Sequence, residues 1–171
     1  MSSIVEVPQP ETTRRTREDL HASLRVWLQL LTSTALIERH VRERLRERFD
    51  ITLSRFDMMA QLDREPKGLK MSELSRRLMV TGGNVTGLTD QLVAEGLVAR
   101  RGIPGDRRAY NVRLTPKGKR QFEAMADEHE TWIVALFERF PAHEREALGE
   151  SLARLKAALA PALGAPRIPD V

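Results

Sequence analysis

The strongest constraint on how this chain can fold is a change of hydrophobic period at Gly96. Upstream, Met71-Ser72-Glu73-Leu74-Ser75-Arg76-Arg77-Leu78 places Met71, Leu74 and Leu78 on one helical face and Arg76 and Arg77 off it. A second helical segment opens at Thr81, a capping residue, and carries Val85, Leu88, Leu92 and Val93 at helical spacing. Gly96 sits where a left-handed residue would close that helix. Beyond it the pattern alternates: Tyr110, Val112 and Leu114 share one face, and Asn111 and Arg113 the other. Leu97-Val98-Ala99-Arg100-Arg101 supplies a partner strand, and Gly102, Pro104 and Gly105 permit a reversal between the two runs. This order predicts a helix-turn-helix followed by a β-hairpin wing.

The hairpin is dense in positive charge. Arg100, Arg101, Arg107, Arg108 and Arg113 face only Asp106, and an arginine-rich ribbon beside a helix-turn-helix suits DNA phosphates. A carboxylate at Asp106 can hold the Arg108 guanidinium in one orientation for a narrow minor groove; the plain alternative is a solvated surface turn. In the second helix Asn84 and Thr86 are short polar side chains able to reach base edges. Gly82, Gly83 and Gly87 each cost about 1 kcal/mol against alanine in a helix. Either their missing side chains let backbone N–H groups meet phosphates, or the helix begins later than Thr81. The expected DNA-contacting set is Arg76, Arg77, Thr81, Gly82, Gly83, Asn84, Thr86, Arg101, Asp106, Arg107 and Arg108.

The surroundings read as helix. A chain of 171 residues, 41% hydrophobic, is one ordinary domain or a small domain with helical extensions. Its net charge of +4 is mild, so positive charge matters through its placement. Residues 1–17 are expected to be a disordered tail. Within 18–50, Leu20, Leu24, Trp27, Leu28, Leu31, Ile37, Val41 and Leu45 recur at helical spacing, and Val26 and Leu30 add a second apolar face that calls for a neighbouring helix or subunit. A helix is expected from Ser54, capped by Ser54 with Asp57, with Phe56, Met59, Ala60 and Leu62 as its stripe. The DNA-binding region is placed at 51–114, and two further helices at 115–160. The first of these opens at Thr115-Pro116 and continues through Phe122, Met125 and Trp132. The last carries Leu148, Leu152, Leu155 and Leu159, before Pro161 begins a tail over 161–171. Met58, Met59, Met71 and Met79 are expected in the core.

Several chemistries find no support. There is no cysteine, so disulfides and thiol redox chemistry are out. His21, His40, His129 and His143 show no metal-ligand spacing, so a metal site would have to be assembled across elements or subunits; no metal and no cofactor are expected. No nucleophile elbow, phosphate loop or paired-carboxylate motif argues for an enzyme. No secretory leader is expected, and no run of about 18 apolar residues spans a membrane, which makes the cytoplasm the default location.

Across Leu20 to Leu159 the order of elements resembles the MarR family of bacterial transcriptional regulators. The resemblance is most specific at Asp106-Arg107-Arg108 with Leu114-Thr115-Pro116-Lys117-Gly118, similar to the family's wing motif, and at Gly96-Leu97-Val98 with Arg100. It implies a homodimer joined by first and last helices, recognition helices in successive major grooves of a palindromic operator, and a wing arginine in each minor groove. A winged helix serving protein contact alone stays open as the alternative. Leu28-Gln29-Leu30-Leu31 with Leu36-Ile37-Glu38, Arg55-Phe56-Asp57, and Leu78-Met79-Val80 with Gly83-Asn84-Val85-Thr86-Gly87-Leu88 are similar to a branch of the family that answers aromatic acyl-CoA thioesters. That likeness implies basic groups for the CoA phosphates, here Arg25, Arg39, Arg42 and Arg44 beside His40, and an apolar slot from Trp27, Phe56 and Met59.

Overall fold

A computed structural model describes residues 17–103 and 106–163, without the side chains of residues 17, 19, 20, 103, 106–109, 162 and 163. The expected tails fall outside it, apart from Arg17 and residues 161–163. The elements are α1 (Arg17–Phe49), α2 (Leu53–Asp63), β1 (Leu69–Lys70), α3 (Met71–Leu78), α4 (Gly82–Ala94), β2 (Val98–Ile103), β3 (Asp106–Leu114), α5 (Pro116–Phe137) and α6 (Ala142–Leu163). The fold is mainly helical with one small antiparallel sheet, as the change of period predicted.

Backbone contacts divide the chain into units at 1–39 and 40–171. The described part of the first unit is helical and leaves Leu24, Val26, Trp27, Leu28, Leu31 and Leu36 in solvent. The second unit has its own core. Val41 and Leu45 from the last turns of α1 are buried there, as are Met58, Met59 and Leu62 of α2, Leu74 of α3, Val85 and Leu92 of α4, and Met125 of α5. Trp132 packs at a tilt on Phe49, with ring centroids 6.4 Å apart.

Helix α1 stops because Asp50 adopts φ 49°, letting the Ile51 amide reach back to the Leu45 carbonyl at 3.4 Å. Helix α2 is then capped by Thr52, whose hydroxyl accepts from the Arg55 amide. The Ser54 cap expected from sequence is therefore two residues late. The turn that buries Ile51 leaves Thr52 extended, and an extended hydroxyl residue is what an N-cap requires. At the other end, Pro161 lies inside α6 rather than beginning the tail. A proline this near a helix end removes one amide donor without undoing the preceding turns.

The hairpin is longer than the sequence pattern suggested, pairing Val98 with Leu114 through Gly102 with Tyr110. A third strand, β1, adds Leu69 opposite Val112 on the far side of β3. Gly68 precedes it at φ 87°, and a Cβ there would stand 2.8 Å from the Val112 carbonyl oxygen. The base of the wing is locked to α5 through Thr115. Its hydroxyl donates to the Gly96 carbonyl at 2.7 Å and accepts from the Gly118 amide at 3.0 Å, while its own amide donates to Leu97 at 3.0 Å.

Candidate nucleic-acid interface

Helix α4 begins where the sequence placed it. Thr81 is extended, and its hydroxyl accepts from the Asn84 amide, so the glycine-rich stretch is helix from Gly82 onward and does not start late. Val85, Thr89 and Leu92 form the buried side. Thr89 satisfies its hydroxyl by donating to the Val85 carbonyl at 2.7 Å. The opposite side, Gly82, Gly83, Asn84, Thr86 and Gly87, is exposed, and a Cβ added at any of the three glycines would meet no protein atom within 4 Å. Thr86 donates to the Gly82 carbonyl at 3.0 Å, so its hydroxyl proton is engaged within the helix while its oxygen can still accept.

The far end of α4 is closed by Gly96 at φ 71°: the Leu97 amide bonds the Leu92 carbonyl and the Gly96 amide bonds Val93, both at 2.9 Å. Glu95 at this end is paired with Arg55 of α2, and its carbonyl accepts from the Lys117 ammonium of α5 at 2.9 Å. Asp90 pairs with Arg100 of β2. Helix α4 is thus tied on three sides to the body of the second unit.

The two arginines of α3 part company. Glu73 bridges both, and the two guanidinium groups hold its carboxyl down at about 2, well below the usual carboxylate range. Arg77 also donates to Glu65 at 3.0 Å, its side chain is only 13% exposed, and its carboxylate partners hold its pKa up. Arg76 keeps an exposed side chain. Of the pair expected to contact DNA, Arg77 is half-buried between two carboxylates, and Arg76, paired with Glu73, keeps its side chain exposed.

Arg101 is exposed on β2, and Asn111 stands opposite it on β3. Asp106, Arg107 and Arg108 lie along the backbone of β3, with their side chains outside the described residues. The ligand set scatters. Arg25, Trp27 and Arg39 belong to the first unit and are exposed. Arg42 and Arg44 are exposed in the second unit, and Arg44 lies 3.9 Å from Glu47. Met59 and Phe56 do not form the open slot expected of them. Met59 is wholly buried, and the ring of Phe56 is covered by Phe122 at 5.5 Å and His129 at 5.1 Å. Burial in that aromatic cluster pushes the His129 pKa down. Among the described residues no group of three or more His, Asp or Glu could hold a metal ion, and no described helix is long and apolar enough to cross a membrane.

Two short helices at a fixed turn, a glycine-faced second helix and an arginine-bearing hairpin define a winged helix-turn-helix. A MarR family model matches residues 49–109. The chain is 32% identical over 98 residues to the transcriptional repressor YetL of Bacillus subtilis, a match spanning 57% of this chain and 59% of that repressor. It is 28% identical over 142 residues to the regulator PecS of Dickeya dadantii, spanning 80% of this chain and 86% of PecS. Among solved structures, a MarR family regulator from Silicibacter pomeroyi superposes with a TM-score of 0.72 at 26% identity, over 85% of this chain and 99% of the other. The apo form of MarR from E. coli gives 0.68 at 25% identity, over 74% and 93%. The fold is thus that of the winged-helix regulators of the MarR family, and the sequence is similar to that family over residues 49–109.

Proposed function

We propose that the chain is a cytoplasmic homodimeric repressor that binds a palindromic operator in double-stranded DNA and is released by a small aromatic effector, in particular an aromatic acyl-CoA thioester. The DNA-binding reading rests on the exposed side of α4, where three glycines point at open space. A backbone bare of side chains can approach phosphates closely, and the Gly82 and Gly83 amides, which precede the capped Asn84 amide, can donate to them. Arg76 and Arg101 add charge for the phosphates. In this reading Arg108, oriented by Asp106, enters the minor groove, and Arg107 meets the backbone beside it.

Dimerisation draws support from two apolar stripes that the single chain leaves wet. Leu148, Leu152, Leu155 and Leu159 run along one side of α6, and Leu24, Leu28 and Leu31 along α1. Stripes of this kind on a water-exposed helix call for a partner, and a second copy supplies one by symmetry. Residues 18–50 and 115–160 are assigned to that role, and 51–114 to DNA. Light scattering at micromolar concentration is expected to return a dimer; a monomer overturns this part.

The effector reading rests on the sequence resemblance of blocks such as Arg55-Phe56-Asp57 to the thioester-responsive branch and on the arginine-rich stretch of α1, where Arg39, Arg42 and Arg44 are exposed beside His40. Charge-assisted contacts to CoA phosphates would add affinity that a free aromatic acid lacks. Of the apolar residues expected for the acyl ring, Phe56 and Met59 are covered by the core and Trp27 is exposed. The test is a gel shift with DNA selected from randomised duplexes, titrated with the acid, CoA and the thioester at matched concentrations. Release by the thioester alone supports the reading, and equal release by acid and thioester discards it.

A further inference from the structure

The turn between α3 and α4 holds one residue whose place in the fold has no internal explanation. Met79, expected in the core, is 70% exposed and adopts φ 52°, ψ 37°. The turn around it is firmly made. The Met79 amide donates to the Arg76 carbonyl at 3.4 Å, the Val80 amide donates to Ser75 at 3.2 Å, and the Ser75 hydroxyl returns a bond to the Val80 carbonyl at 2.6 Å. Nothing in this closure uses a side chain at residue 79, and a left-handed position after a helix is where glycine is favoured. The apolar contact that usually accompanies such a turn falls to the next residue, and Val80 is indeed half-buried. Met79 therefore keeps a long apolar side chain in water, on a backbone that disfavours any side chain.

Its exposed neighbours belong to the set assigned above to DNA. Arg76 lies exposed three residues before it, and the exposed run Thr81, Gly82, Gly83 and Asn84 begins two residues after it. We infer that Met79 is a specificity-determining contact, packing its thioether chain on the 5-methyl group of a thymine at the edge of each operator half-site. The thymine methyl is the apolar feature of the major-groove edge, and a flexible, polarizable side chain conforms to it. The inference rests on the DNA-binding reading above.

The experiment compares wild-type protein, Met79→Gly and Met79→Leu on a duplex selected by the wild type, and on copies in which single thymines are replaced by uracil. Glycine should relieve the backbone and raise the Tm by about 2 to 4 °C, while weakening binding to the selected duplex about tenfold. Leucine should keep the affinity. One thymine in each half-site should cost the wild type about fourfold when its methyl is removed, and cost Met79→Gly nothing, which is the signature of a direct contact. A lowered Tm for Met79→Gly would show that the side chain serves the fold and overturn the inference. So would unchanged affinity, or a uracil effect of the same size in both proteins. Failure of the wild type to select any sequence would instead remove the DNA-binding reading, and the contact with it.

Discussion

At Gly118, in the first turn of α5, an added Cβ would collide with the Leu97 carbonyl and lie 2.8 Å from its carbon; at Gly82, Gly83 and Gly87 of α4 it would meet nothing within 4 Å. Both helices begin with a threonine cap and both spend glycine where alanine would favour the helix. At Gly118 the cost is offset inside the chain, because the bare backbone lets α5 sit against the end of α4 and the base of β2. Along α4 no internal contact offsets it. The same residue type thus marks a packed junction in one place and an open helix face in the other, and only the surroundings tell them apart.

The largest effect should come from the junction. Gly118→Ala forces backbone against backbone, with no flexible side chain to give way, and should lower the unfolding free energy by about 3 kcal/mol in urea titration. A loss under about 1 kcal/mol would mean that the junction relaxes easily and that the contrast with α4 is overstated. Next comes the wing: Arg108→Ala should leave unfolding unchanged while weakening operator binding by about 2 kcal/mol in a gel shift. An equal affinity would remove the minor-groove role. Gly87→Ala should then move in the opposite direction from Gly118→Ala, stabilising the protein by about 1 kcal/mol, and it should weaken DNA binding at the same time. Stabilisation with undiminished binding would show that the bare face of α4 is not needed for close approach.

The smallest effects are those of pH, and they separate the two regions again. Glu73 supports α3, and its carboxyl is held near 2 by Arg76 and Arg77, against 4.5 ordinarily. Its contribution is complete above the ordinary value and disappears as pH falls through about 2. His129, packed under α2, has its pKa lowered by burial from 6.5. Below 6.5 the unfolded chain takes up a proton that the folded chain resists, so stability should decline as pH falls from there toward the folded value. His129→Gln should flatten that decline in thermal melts taken between about pH 7 and pH 5, leaving the acid limb of Glu73 in place. A slope unaltered by the substitution would assign the decline to other groups.

Much of the helix-turn-helix and wing was legible because each piece depends on its neighbours in the chain. Thr81 and Thr115 cap the helices expected of them, Gly96 takes the left-handed conformation its position suggested, and the alternation through Val112 is a strand. Strand β1 was not legible, since Leu69 and Lys70 are too few residues to show alternation and pair only because β3 offers an open edge. The pairing of Arg77 with Glu65, twelve positions earlier, was not legible either, because the helical pattern shows only that its face is polar. Met79 was read as core because it is apolar, yet the left-handed turn takes it off the face that Leu74 buries. Phe56 and Met59 were read as an open slot by residue type, and packing against Phe122 and His129 closes it.

Helix periods, caps, the glycine stop and the charge of the hairpin belong to the sequence alone, because they follow from spacing along the chain and from the conformations each residue permits. Which arginine is covered and which stays exposed, which methionine is wet, and which glycine is packed were decided by the tertiary structure. Those properties depend on atoms that are distant in sequence, such as the Leu97 carbonyl above Gly118 and the Glu65 carboxylate beside Arg77, and no local pattern encodes where such atoms will lie.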